Sequence, residues 1–247
     1  MAHSSRVQGL RSNGKDLETA VYTHRKSDGA QRVDLVAVYD VGELSYYQSV
    51  KALVDERMTG GAEVHYQGHD VFDLLDCPPP DLSAQEKEVI ALQAQLERAN
   101  CKFVGSGNGW VVQREIWNPY PQGWQLRDVP FRDIIRMIGP HTYLDNLQSM
   151  MAKMNNVDPR RMRRLMHAAI RQTASGRQWT LPFDTVLIDY RDEAAVAGAA
   201  AATSDVVLVW SSEHTAGQAA HLKGRGFTQV GEKWLRLGRL PGRRQRA

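Results

Sequence analysis

LVAVYDVGELSYY, residues 35–47, decides how the rest of the chain is laid out. Its first five residues are an unbroken apolar run, the pattern of a strand covered on both faces. Asp40 closes that run, and over residues 43–58 Tyr47, Val50 and Val54 recur on one helical face. A strand that ends on a carboxylate and turns at once into a helix is how open α/β sheets present chemistry, just beyond the strand's carboxyl end.

Upstream, ETAVYTHRKSDGAQRVDLVAVYD (residues 18–40) predicts two strands joined by a turn at residues 27–29, the second strand covering 33–39. Downstream, Gly60-Gly61 stops the helix and AEVHY (62–66) gives a short strand, which completes a βαβ unit with an expected right-handed crossover. CPPPDL (77–82) then breaks the pattern, and Ser83 with Glu86 forms a capping box for a helix through VIALQAQLERAN. From there to about residue 177 the chain reads as mostly helical, with segments at 130–138 and 141–154 and a third opened by Asp158 and Pro159. Strands are expected again at 184–190 and 205–210, around an alanine-rich helix at 193–202. A helix at 215–223 and a last strand at 233–237 follow. The fold class expected is therefore α/β: a mostly parallel central sheet from N- and C-terminal βα units, with a helical insert at about 79–180. One domain would span 17–237, between a flexible leader (1–16) and a basic tail (238–247).

With 247 residues, 42% hydrophobic and 24% charged, the chain is long enough to bury a substantial core. No apolar run approaches the ~18 residues of a membrane span, and residues 1–16 lack the apolar centre of a signal peptide. Cys77 and Cys101 make no disulfide framework. A soluble, cytoplasmic protein with no membrane partner is expected. The net charge of +3 owes much to Arg239, Arg243, Arg244 and Arg246, without which the body carries 27 basic and 28 acidic residues. That tail, with the basic run RRMRRLMHAAIR (160–171), offers nucleic acid a possible contact, but no groove-reading fold or stacking platform accompanies it. Arg160, Arg164 and Arg171 instead suit the solvated side of an amphipathic helix whose other side carries Met162, Leu165 and Ala169.

These segments resemble the TraB/GumN/Tiki family, related to erythromycin esterases and ChaN-type haem-binding lipoproteins. VDLVAVYDVGELSYY (33–47) is similar to the family's opening strand, which ends in G-x-x-H or A-x-x-H, with Ala37 and Asp40 at those two positions. Val41-Gly42 and Tyr46-Tyr47 follow as in the family. AEVHYQG (62–68) resembles the strand carrying the essential glutamate, with Gln67 in its place. LQAQLERANCKFVGSGNGWVVQREIW (92–117) and WQLRD (124–128) are similar to the middle motifs, with Gln93, Gln113, Trp124 and Asp128 retained. VLIDYRDEAAV (186–196) resembles the arginine segment, here Arg191. VVLVWSSEHTAGQAAHLKGRGFTQVGEKW (206–234) resembles the second G-x-x-H strand: His214 and Gly217 match, and Ser211 replaces the glycine. The resemblance covers roughly 200 residues in order.

For active members the resemblance implies a metal-assisted hydrolase, peptidase-like in Tiki proteins, in which two histidines and a glutamate gather at the sheet's carboxyl edge. A metal held there lowers the pKa of bound water. Asp40, Gln67, Asp128, Arg191 and His214 occupy the corresponding site. An amide at Gln67 accepts no proton near neutral pH and adds no charge to hold a metal, and loss of a general base costs ~10²–10⁴ in rate. The expectation is a catalytically degraded protein, without a cofactor, that binds a small molecule, peptide or protein partner. The alternative is a divergent metal-dependent hydrolase in which Asp40 and His214 hold Mn, Co, Zn or Mg, with Asp128 or Glu213 assisting. Glu213 is expected to face away from His214, since neighbouring strand residues point oppositely. His65 and His69, with Asp70, are expected to be structural rather than metal ligands, and Tyr46, Tyr47, Trp117 and Trp124 to be core or pocket wall. GSGNG (105–109) lacks the Lys and Ser/Thr of a phosphate loop.

Overall fold

A computed structural model describes residues 8–68, 70–104, 110–117, 120–155, 158, 168, 170, 172–175, 183 and 185–239. The first strands are β1 (Leu10–Ser12), β2 (Asp16–Lys26) and β3 (Arg32–Val38), the last two forming the expected hairpin. Gly29 takes φ +73 at its turn, a left-handed conformation that costs glycine nothing. After β4 (Val41–Glu43) comes α1 (Leu44–Thr59), stopped at Gly60 and Gly61, and then β5 (Glu63–Tyr66). Next are α2 (Val71–Asp76), α3 (Ala84–Val104), β6 (Trp110–Val112), α4 (Gln113–Ile116) and β7 (Trp124–Leu126). Helices α5 (Phe131–Ile138) and α6 (Pro140–Asn155) follow, then a π-helical segment (Thr185–Asp189), α7 (Tyr190–Ala201), β8 (Val206–Ser211), α8 (Thr215–Gly224) and β9 (Phe227–Arg239).

Strands β3, β8, β5 and β7 lie side by side in that order, all parallel. Strand β2 runs antiparallel to β3, β1 and β9, so it alone opposes the common direction of the seven-stranded sheet. The predicted α/β class with a mostly parallel sheet is what the chain forms. Strands β3 and β5 of the βαβ unit are not neighbours, because β8 from the C-terminal half lies between them.

Each face of the sheet has its own apolar layer. On one side Val36 and Val38 of β3, with Val207 and Val209 of β8, pack under Tyr46, Tyr47, Val50 and Val54 of α1. On the other, Leu35 and Ala37 with Leu208 and Trp210 meet Ala195, Val196 and Ala199 of α7 and Leu222 of α8. This alternation follows from the two-residue repeat of a strand sandwiched between helices. The helical part has a separate core, in which Val89 and Ile90 of α3 meet Phe131, Ile134 and Ile135 of α5 and Leu144 and Leu147 of α6.

Over residues 185–189 the expected strand is instead a π-helical segment, which runs into α7 at Tyr190. Val186 and Leu187 pack against the helical core rather than the sheet, so their apolar character serves a helix. Short apolar runs carry no period that separates the two cases. Within the stretch expected as a helical insert, β7 joins the main sheet beside β5. Within the expected leader, residues 10–12 form β1 and pair with β2. The last strand extends over thirteen residues and takes in Gly238 and Arg239 from the expected tail. Pro159, His69, GSGNG, the tail beyond residue 239 and all of the basic run except Ala168 and Ile170 lie outside the described residues. Among the described residues no helix is long and apolar enough to cross a membrane.

Candidate functional site

The four parallel strands deliver one polar residue each at their carboxyl ends. Asp40 follows β3, His214 follows β8, Gln67 follows β5 and Asp128 follows β7. Backbone hydrogen bonds continue past the strand ends and fix these turns: Ser212 N–H donates to Val38 O (2.8 Å) and Gln67 N–H to Val209 O (3.0 Å). The carboxyl edge of an open α/β sheet is where such folds bind ligands.

Gln67 and His214 are in contact. The Ser211 N–H donates to Gln67 Oε1 at 2.6 Å, which fixes the amide so that its Nε2 donates to His214 Nε2 at 3.1 Å. The imidazole is therefore neutral on its Nε2 side and carries its proton on Nδ1, which donates to Asp192 Oδ1 at 2.8 Å. The ring and the carboxylate are both fully buried. Burial pushes the Asp192 carboxyl up to about 8. Its Oδ2 has no hydrogen-bond partner, which leaves a place for that acid proton. A Cβ at position 217 would overlap Asp192 Oδ2, so a glycine in the first turn of α8 is what lets the carboxylate reach the imidazole.

Asp128 and Arg191 form a second buried pair. Arg191 Nε donates to Asp128 Oδ1 at 2.9 Å and Nη2 to Oδ2, while the N–H groups of Val129 and Gly68 also donate to the carboxylate. Arg191 Nη1 reaches back to Leu187 O at 3.1 Å, a bond the π-helical segment positions. One helix turn thus sends adjacent residues, Arg191 and Asp192, to two different strand ends.

Asp40 stands apart from both pairs. Its backbone carbonyl accepts the Gln113 N–H at 2.8 Å, and its side chain is exposed. Desolvation by the surrounding protein nevertheless raises its pKa. Burial comes first for Tyr39, Tyr47, Tyr120 and Glu97, and the Asp40 charge raises the pKa of each of them further. Tyr47 OH donates to Tyr39 O (2.8 Å) and Tyr120 OH to Gln67 O (3.3 Å), which ties this aromatic wall to the neighbouring strand end.

Glu213 lies in the turn after β8 and is exposed, while His214 beside it is fully buried, and the charge of Glu213 raises both Tyr39 and Asp192. His65 is buried on β5 with Nε2 3.4 Å from Glu63 Oε2, and Asp70 Oδ1 accepts the Phe131 N–H at 2.9 Å. Trp117 and Trp124 are buried and packed edge-on, 5.2 Å between ring centres.

The metal implied by the resemblance does not fit the donors present. His214 has one ring nitrogen on Gln67 and the other on Asp192, and Gln67 offers an amide already bonded at both ends. Among the described residues no group of three or more His, Cys, Asp or Glu side chains is placed to hold a metal ion. Of the residues that matter here, Asp192 had not been singled out. Its signal was present: an acid next to Arg191, and a glycine three residues after His214 in an otherwise alanine-rich helix. No family model matches the sequence, and no curated protein and no solved structure matches it.

Proposed function

We propose that the chain is a catalytically silent, divergent relative of the TraB/Tiki-like hydrolases that uses the carboxyl edge of its sheet as a ligand- or partner-binding pocket in the cytoplasm. The observation that carries this reading is the bond from the Gln67 amide to His214 Nε2. In a hydrolase of this plan that nitrogen would hold a metal or move a proton, whereas here it is occupied by a group that cannot accept one. Asp192 holds the other side of the ring, so the imidazole serves as a structural strut between β5 and α7. The accessible polar surface is left to Asp40 and the tyrosines beside it.

Elemental analysis and a hydrolysis screen test the reading together. The purified protein is expected to carry no stoichiometric Mn, Co or Zn and to cleave neither peptides nor esters. The double variant Asp40→His/Gln67→Glu, which restores the family's donors, is expected to take up one divalent ion. Stoichiometric metal in the unaltered protein, lost on His214→Ala, would overturn the proposal in favour of a divergent hydrolase.

A further inference from the structure

The exposed turn between β1 and β2 carries Asn13-Gly14, and its hydrogen bonds prepare a chemical step. Asn13 Oδ1 accepts two backbone N–H groups, from Lys15 at 3.1 Å and from Asp16 at 2.9 Å. These are the donors that a negative charge developing on that oxygen would need, and they are already in place. Gly14 has φ +93 and open space where a Cβ would stand, so no side chain screens its backbone nitrogen. Its N–H donates to the Ser12 hydroxyl at 3.2 Å. The Asp28-Gly29 turn is wired differently. Asp28 Oδ1 accepts the Ala30 N–H at 3.0 Å, and the Gly29 N–H is committed to Lys26 O at 2.8 Å.

We propose that Asn13 is a self-modifying site, converted in water without an enzyme to a mixture of aspartate and isoaspartate. Gly14 N attacks Asn13 Cγ, and the negative charge forms on Oδ1 under its two N–H donors. The Cγ–Nδ2 bond then breaks, and ammonia leaves with the proton that Gly14 N gives up, which closes a cyclic imide. Water opens the ring. Attack at Cγ yields aspartate, and attack at the main-chain carbonyl yields isoaspartate, in which the chain runs through the side-chain methylene. One water is consumed for one ammonia released, and no oxidant or cofactor takes part. At Asp28 a carboxyl oxygen would have to leave in place of ammonia, which slows the same step. The conversion has a structural target. Gly9, just before β1, lies so close to Ser212 that a Cβ there would overlap the Ser212 carbonyl, two residues before His214. An extra methylene in the turn disturbs the three-residue pairing of β1 with β2 and loosens the segment that rests beside the buried imidazole.

Ageing of the full chain at neutral pH, followed by peptide mapping with mass spectrometry, tests this against an unstructured synthetic peptide of residues 8–20 in the same buffer. Asn13 is expected to convert about tenfold or more faster in the protein than in the peptide, the effect of donors set in advance. Lys15→Pro removes one of the two N–H donors and is expected to lose most of that advantage. Circular dichroism checks that Lys15→Pro is folded; if it is not, the comparison of protein with peptide decides alone. Asn108-Gly109, outside the described residues, falls in a separate peptide and is scored apart. In the converted fraction, isolated by ion exchange, the Ala20 N–H that donates to Gly9 O at 3.0 Å is expected to exchange with deuterium faster than in the unconverted fraction. Conversion at Asn13 no faster than in the peptide, an unchanged rate in folded Lys15→Pro, or faster conversion at Asp28 would each overturn the inference. Unchanged exchange at Ala20 would overturn its link to the turn before His214.

Discussion

His214 is oriented by groups from three parts of the chain: the Ser211 N–H acting through Gln67, Gln67 itself, and Asp192. Buried polar chains of this kind are stable only when every member has its partner. Here the one loose end, Asp192 Oδ2, coincides with a carboxyl that burial drives to about 8. The unfolded chain ionises this group near its ordinary value of 3.8, so the folded state holds a proton that the unfolded state has released. Its contribution to stability is therefore complete below about pH 4 and is lost as pH rises through about 8. Asp192→Asn retains an acceptor for Nδ1–H and is expected to flatten the fall of stability with pH in urea denaturation between pH 4 and 8. Parallel profiles for the two proteins would refute this assignment. Gln67, Asp128, Arg191 and His214 were legible as candidates because each follows or matches a recognisable segment. Asp192 was not, because a buried acid on a helix looks the same in sequence as a solvated one.

Elements with their own punctuation were the easiest to foresee. The capping box at the start of α3 is formed as expected, with Ser83 N–H to Glu86 Oε2 at 2.7 Å and Glu86 N–H to Ser83 Oγ at 3.2 Å. Arg136 of α5 adds a bond from Nε to Glu86 Oε1 at 2.6 Å, so the cap also joins two helices. The Ser83 N–H and Arg136 hold Glu86 down at about 2, so its contribution is present above the ordinary value of 4.5 and is lost as pH falls through about 2. Ser83→Ala is expected to cost about 1 kcal/mol in denaturant unfolding at neutral pH. No change would mean that the Glu86 half of the box suffices. The strands that escaped notice are β1, β4, β6 and β7, each three residues long. Three residues cannot display a two-residue period, and their pairing is decided by distant partners.

Across the whole molecule, polar ties of long reach hold the layers in register. Asp34 on β3 accepts Arg32 Nη2 at 2.7 Å and Arg57 Nε of α1 at 2.8 Å, with the carboxylate only 2% exposed. Gln31 Nε2 donates to the carbonyls of Ala199, Ala202 and Ser204, which joins the hairpin to the end of α7. Asp34→Ala leaves Arg32 without its counter-charge and Arg57 with only its exposed pair to Glu56, and the protein is expected to lose about 3 kcal/mol of stability, measured by denaturant unfolding. A loss below about 1 kcal/mol would show that both arginines escape to water. The class of the fold was visible because long apolar strands alternate with helices at both ends of the sequence. The strand order was not, since placing β8 between β3 and β5 is a choice made across about 140 residues of separation. The long outermost strand has a consequence of its own. Among the described residues β9 pairs only with β2, so much of its far rim of amide and carbonyl groups is open to another chain. Glu232, Lys233 and Arg236 put charges along it, and the irregularities opposite Leu17/Glu18 and Thr23/His24 distort its line. The rim is thereby guarded against fibril-like stacking, and neutralising those charges would weaken the protein's resistance to self-association before it touched the pocket.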